Sequence, residues 1–193
     1  VKDPPPDPFV AAEEIAGALE AEGLPYAIGG SMAYGIWGEP RATKDVDINV
    51  FVEPSRFAAA LAALEKAGVQ FDREGALREM ADGGQFVAWD GPWRVDVYTP
   101  SIPFSWEASR TRREAACEGR RRWYLSAEAI AVFKLLYMRP KDLPDLQRLL
   151  AVQGKRLDAP YVRRWIAEMM GEDDPRVSTW DALCRQFWKD PEP

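Results

Sequence analysis

The sequence contains no histidine and only two cysteines, Cys117 and Cys184. Without imidazole, Ser-His-Asp and Cys-His catalysis and histidine-ligated zinc are excluded, which leaves carboxylates and lysine as the acid–base groups. Neither cysteine has a second thiol at ligand spacing, so reduced, partly buried thiols are expected in place of a disulfide framework or structural zinc. No apolar run approaches the roughly 20 residues of a bilayer span. No basic-then-apolar segment opens the chain, and a cytoplasmic protein with no membrane partner is expected. Positive charge is also in deficit: 25 Lys and Arg against 31 Asp and Glu give a net charge of −6. That balance argues against broad coating of nucleic acid and leaves room for a local basic patch.

What is present suffices for a core. The chain has 193 residues, 47% of them hydrophobic, enough for one domain or for a catalytic core with a helical appendage. The most informative stretch is 27–52. An apolar run at 26–28 meets Gly29-Gly30-Ser31, after which Met32, Ala33, Ile36 and Trp37 recur at helical spacing until Gly38. This reads as strand, glycine turn, short helix. Glycines let backbone amides approach a ligand closely, and the helix N-terminus behind them suits an anion such as phosphate. After a polar loop containing Pro40, Arg41 and Thr43, residues 46–52 read as a strand with Asp45 and Asp47 at its start. Residues i and i+2 of a strand share a face, separated by roughly 6.5 Å of rise, so both carboxylates can address one place. Two acids beside a phosphate-sized site suggest a divalent cation, Mg²⁺ or Mn²⁺.

Taken singly, a Gly-Gly turn is usually only a turn and an Asp-x-Asp a solvated strand end. Together, with Ser31 fourteen residues before Asp45, they resemble the signature of the DNA-polymerase-β-like nucleotidyltransferase superfamily. The resemblance covers roughly residues 24–150. It implies an α/β (α+β) fold, a small mixed-sheet core with helices on one face, followed by a C-terminal helical bundle. It also implies Mg²⁺-dependent transfer of a nucleoside monophosphate from an NTP to a hydroxyl. Asp45 and Asp47 would hold the metal. Gly29, Gly30 and Ser31, with Arg41 and Thr43 of the loop, would face the nucleotide. Asp96, on a later strand reading Arg94-Val95-Asp96-Val97-Tyr98, would be the third acid, a metal ligand or general base. A salt bridge between Asp96 and Arg94 is the structural alternative.

Lys134 is the one cation of an otherwise apolar helix, 127–138, capped by Ser126. With Arg139, Lys141, Asp142, Asp145 and Leu146 it resembles the Arg-x-Lys-Asp-x-x-Asp-Leu element of the AbiEii and MenT-type branch of nucleotidyltransferase toxins. By that resemblance Lys134 would contact the triphosphate, and Asp142 or Asp145 would position Lys134 or a substrate. The acceptor would be RNA, the 3′ end of tRNA, and a cognate antitoxin is a possible partner. Asp142 could equally cap the next helix.

The alternatives are an antibiotic-modifying enzyme with an aminoglycoside or lincosamide acceptor, a protein-modifying enzyme, and an inactive antitoxin or regulatory binding protein of the same fold. Arg110, Arg112, Arg113, Arg120, Arg121 and Arg122 form the one concentrated basic region, suited either to phosphate or to solvated surface. The expected layout is an extended arm over 1–8, a nucleotidyltransferase core over 9–125 and a helical bundle over 126–193. Residues 9–22, 54–67, 161–170 and 177–188 read as helices, 85–89 and 93–98 as a hairpin, 69–71 as a short strand, and 72–84 as loop or weak helix.

Overall fold

A computed structural model describes residues 7–117 and 119–188. Residues 1–6 of the expected arm lie outside that range, while Asp7 caps helix α1 (Pro8–Ala21) by accepting from the Phe9 N–H at 3.0 Å. The chain divides into two compact units, one made of 7–32 with Arg41–Leu125, the other of Ala33–Pro40 with 126–188.

The first unit is built on a six-stranded mixed sheet. Its strands are β1 (Tyr26–Ile28), β2 (Asp45–Val50), β3 (Gln85–Asp90), β4 (Trp93–Tyr98), β5 (Arg113–Cys117) and β6 (Arg120–Tyr124), in the spatial order β3-β4-β2-β1-β6-β5. β2 runs parallel to β4 and antiparallel to β1, while β1 runs parallel to β6. The period of two sorts the side chains. Val46, Ile48, Val50, Val95, Val97, Phe86 and Ala88 are buried on one face. Helices α1, α3 (Phe57–Lys66) and α4 (Arg73–Gly83) belong to this side: α1 packs on β1, β2 and α3, and α4 packs on β3. The intervening residues Asp45, Asp47, Asn49, Asp96 and Tyr98 stay half-buried on the other face. The sheet therefore has an apolar, covered side and a polar side, as an antiparallel-edged sheet with one solvated face requires.

Two segments differ from the sequence reading. Residues 69–71 contribute only an isolated bridge, Gln70 to Trp89. Residues 73–83 form a full helix, α4, because Asp72 accepts from the Gly75 N–H at 3.1 Å and Gly84, at φ +69°, closes the C-terminus. Its apolar stripe is short, with Ala76 and Met80 as its buried residues, and so leaves little periodic signal. The arginine-rich region, read from sequence only as charge, contains the end of α5 (Pro103–Thr111) and the β5-β6 hairpin.

In the second unit, α6 (Ala127–Tyr137), α7 (Asp142–Gln153), α8 (Ala159–Met170) and α9 (Pro175–Phe187) form a bundle around Val132, Leu135, Leu146, Leu149, Ile166 and Trp180. Trp180 is 1% exposed and satisfies its indole N–H on the Ala159 carbonyl at 3.1 Å. No helix among the described residues is long and apolar enough to cross a membrane.

Candidate active site

Helix α2 (Gly30–Trp37) starts directly after β1. Its first residues form the glycine turn, and the turn is fastened to β2: the Gly29 N–H donates to the Asp47 carbonyl at 2.8 Å. Gly30 has φ +51°, a conformation that disfavours any Cβ. A Cβ built there would fall 1.7 Å from Asp47 Oδ2. The Asp47 carboxylate thus lies against the bare Cα of Gly30, at a helix N-terminus whose first-turn N–H groups have no intrahelical partner. Gly29 has a similar neighbour, with Asn49 Nδ2 2.7 Å from where its Cβ would be. Ser31 is buried behind the turn.

The register places the remaining acids. Asp47 is the cross-strand partner of Asp96, and Asp45 of Arg94, all on the polar face of the sheet. The Asp45 carboxylate and carbonyl lie 2.9 and 2.8 Å from the Thr43 hydroxyl, so Thr43 holds Asp45 at the strand entrance. Arg41 in the same loop is exposed. Asp96 accepts two hydrogen bonds from Arg94, from Nη2 at 2.7 Å and Nε at 3.1 Å. These bonds, followed by the charge of Asp96, push the Arg94 guanidinium above its ordinary value. The salt bridge considered as the structural alternative is therefore formed, on a strand whose register sets Asp96 opposite Asp47. Tyr98 donates to Asp47 Oδ1 at 3.4 Å. Tyr98 and Asn49 were missed in the sequence, although each continues an alternation that was read: Asp45-x-Asp47-x-Asn49 and Arg94-x-Asp96-x-Tyr98. On β3, opposite Asp96 and Arg94, Val87 and Trp89 are 44% and 50% exposed.

Among the described residues no three carboxylate or thiol groups stand together as a finished set of metal ligands. The donor chemistry nonetheless fits a hard divalent cation. Asp45 and Asp47 are oxygen ligands on one face, and the missing Cβ of Gly30 lets the Asp47 carboxylate sit against the start of α2, where a cation it holds would lie beside an anion at the helix N-terminus.

Lys134, Asp142 and Asp145 come together in the helical unit. Lys134 Nζ lies 2.6 Å from Asp145 and 3.2 Å from Asp142, with the Tyr34 ring centroid at 5.2 Å. All three are buried, at 7%, 0% and 3% exposure. Burial alone would raise the Asp142 carboxyl, but hydrogen bonds from the Arg139 side chain and backbone, with the charges of Lys134 and Arg139, outweigh it and hold the group below its ordinary value. Of the basic region, Arg110 pairs with Glu107, Arg121 with Glu114, Arg120 with Glu13, and Arg122 with Glu13 and Glu20.

Solved structures resemble the fold of this chain over most of its length. The crystal structure of ANT(2")-Ia in complex with adenylyl-2"-tobramycin matches with a TM-score of 0.59 at 18% identity, over 94% of this chain and 99% of that one. The fold is that of the nucleotidyltransferases. The solution structure of the same antibiotic-resistance factor gives 0.57 at 19% identity, over 84% of this chain and 95% of the other. An antigenic nucleotidyltransferase-like protein from Paracoccidioides brasiliensis gives 0.50 at 18% identity, over 94% and 96%. No family model matches the sequence, and no curated protein sequence does.

Proposed function

We propose that this chain is a metal-dependent nucleotidyltransferase acting on a small cationic hydroxyl compound. The observation that carries the reading is the Asp47 carboxylate packed on the Cβ-less Gly30 at the start of α2. It joins an anion-binding helix end to a carboxylate, the pairing that nucleotidyl transfer requires.

The α2 N-terminus, with Gly30 and Ser31, receives the triphosphate. Asp45, steadied by Thr43, and Asp47 would hold Mg²⁺ or Mn²⁺, which when bound neutralises phosphate charge. Asp96, released from Arg94, takes the proton of the acceptor hydroxyl as its oxygen bonds to the α-phosphorus and pyrophosphate leaves. Arg94 holds Asp96 oriented until the acceptor arrives. Lys134 serves the fold and not the reaction: its ammonium is engaged by Asp142 and Asp145, which ties α6 to α7.

Three features favour a cationic small molecule over the RNA acceptor that the toxin-branch resemblance implies. The polar sheet face carries Asp45, Asp47 and Asp96, and Trp89 offers an exposed ring beside them that suits the apolar side of a sugar ring. Carboxylates already neutralise Arg110, Arg120, Arg121 and Arg122, which weakens the case for a phosphate-tracking strip. ANT(2")-Ia, a fold neighbour, has been captured with an adenylylated aminoglycoside. The test is incubation with Mg²⁺, each labelled NTP, and either an aminoglycoside panel or total tRNA. Label on an aminoglycoside supports the proposal. Label on tRNA would restore the RNA reading, and no pyrophosphate release with any NTP would leave a binding protein.

A further inference from the structure

A pocket of about 280 Å³ opens in the first unit where α1 turns into β1. Glu20, Leu24, Pro25 and Tyr26 from that turn line it together with Arg112, the C-cap of α5, and Trp123 of β6. None of these residues belongs to the proposed transfer site.

The charges in the pocket are unequal. Glu20 is compensated, since its carboxylate accepts from the Tyr26 hydroxyl at 2.6 Å and lies 3.5 Å from Arg122. Arg112 is not. Its guanidinium lies over the Trp123 ring at 4.7 Å from the centroid, and Nη1 donates to the Ser109 carbonyl and, at 3.3 Å, to the Ser109 hydroxyl. Its Nε is buried without a hydrogen-bond partner among the described residues. No carboxylate among the described residues forms an ion pair with Arg112, in contrast to Arg110, Arg120, Arg121 and Arg122. Burial accordingly lowers its pKa from the ordinary value, opposed in part by Tyr26. A half-buried guanidinium that is oriented by stacking and lacks a counter-charge is a site for an anion.

We propose that this pocket binds a small organic anion, a carboxylate carried on a flat apolar body. One guanidinium edge matches one carboxylate, while Leu24 and Pro25 supply an apolar wall of the kind that free phosphate cannot use. A phosphate dianion would call for several converging donors or a glycine-rich turn, and the lining offers Arg112 as its single cation. The volume, just below the roughly 300 Å³ of ordinary ligand pockets, limits the guest to about one ring.

The probes are benzoate, acetate and inorganic phosphate, titrated into the whole chain. The readouts are the Arg112 side-chain N–H and the Trp123 indole N–H resonances, assigned with Arg112→Lys and Trp123→Phe. Benzoate is expected to move both saturably and to bind at least about tenfold more tightly than acetate or phosphate. It should weaken by about tenfold or more in Arg112→Gln and raise the melting temperature of the unmutated protein. Binding should persist in Asp47→Asn, which separates this site from the transfer site. Absence of a saturable benzoate shift, phosphate binding as well as benzoate, or full affinity in a folded Arg112→Gln would overturn the proposal. Should Arg112→Gln fail to fold, the shift pattern in the unmutated protein decides alone: shifts centred away from Arg112 and Trp123 would contradict it.

Discussion

The same residue types, aspartate with a neighbouring basic side chain, occur in two settings in this molecule. On the polar sheet face, Asp45, Asp47 and Asp96 are half-buried and held by a hydroxyl, a long phenol contact and a partly exposed arginine. In the helical unit, Asp142 and Asp145 are sealed from solvent and bonded to Lys134 and Arg139. A carboxylate that is accessible and lightly held can exchange its partners for a cation, a substrate or a proton. One that is buried and satisfied holds helices together, and removing its partner strands a charge. Under the proposed function, burial and partners, more than residue identity, separate chemistry from architecture.

The largest expected effect would come at the open face. Asp47→Asn preserves shape and removes charge, and it should lower kcat/KM for nucleotidyl transfer by about 10³-fold, the equivalent of several kcal/mol of transition-state charge stabilisation. Its chemical denaturation midpoint should stay near that of the parent. Lys134→Met should do the reverse, costing about 3–5 kcal/mol of stability in urea unfolding because two buried carboxylates lose the cation they share and keep only the partly exposed Arg139 and Arg148.

Gly30→Ala tests whether the turn and the acid act as one unit. The added Cβ must displace the Asp47 carboxylate, and a shift of that size should cut kcat by about 10²-fold. Circular dichroism of the variant should show an intact fold.

The pH dependence sharpens the contrast at lower amplitude. A carboxyl held below its ordinary value contributes stability that is fully present above that value. For Asp142 this contribution should fade as pH drops below 3.8 toward the lowered folded value. The acid limb of thermal stability should therefore flatten in Asp142→Asn.

The smallest effect is assigned to the exposed pair. Arg94→Ala should change stability by less than about 1 kcal/mol in the same urea experiment.

Much of this arrangement could be read before the fold was seen. Glycine, β-branched residues and alternation are local signals, so β1, α2, β2, the β3-β4 hairpin and the capped α6 are legible in the sequence. Helix α4 was not, because its cap Asp72 and its closing Gly84 specify it while only Ala76 and Met80 mark a buried face. The β5-β6 hairpin was hidden by arginines whose partners, Glu13 and Glu20, lie a hundred residues earlier on α1. The contact of Gly30 with Asp47 and the pairing of Asp47 with Asp96 depend on strand register, which the Asp-x-Asp spacing suggests but does not specify. For Lys134 the motif indicated which residues meet, while their burial depends on how α6 packs on α7.

The most direct measurement compares nucleotidyl transfer per folded molecule in Asp47→Asn and Lys134→Met, with the folded fraction of each taken from its unfolding curve. The account predicts that Asp47→Asn is folded and inactive, and that the folded fraction of Lys134→Met turns over close to the parent rate. A folded Lys134→Met without activity, or an active Asp47→Asn, would contradict it.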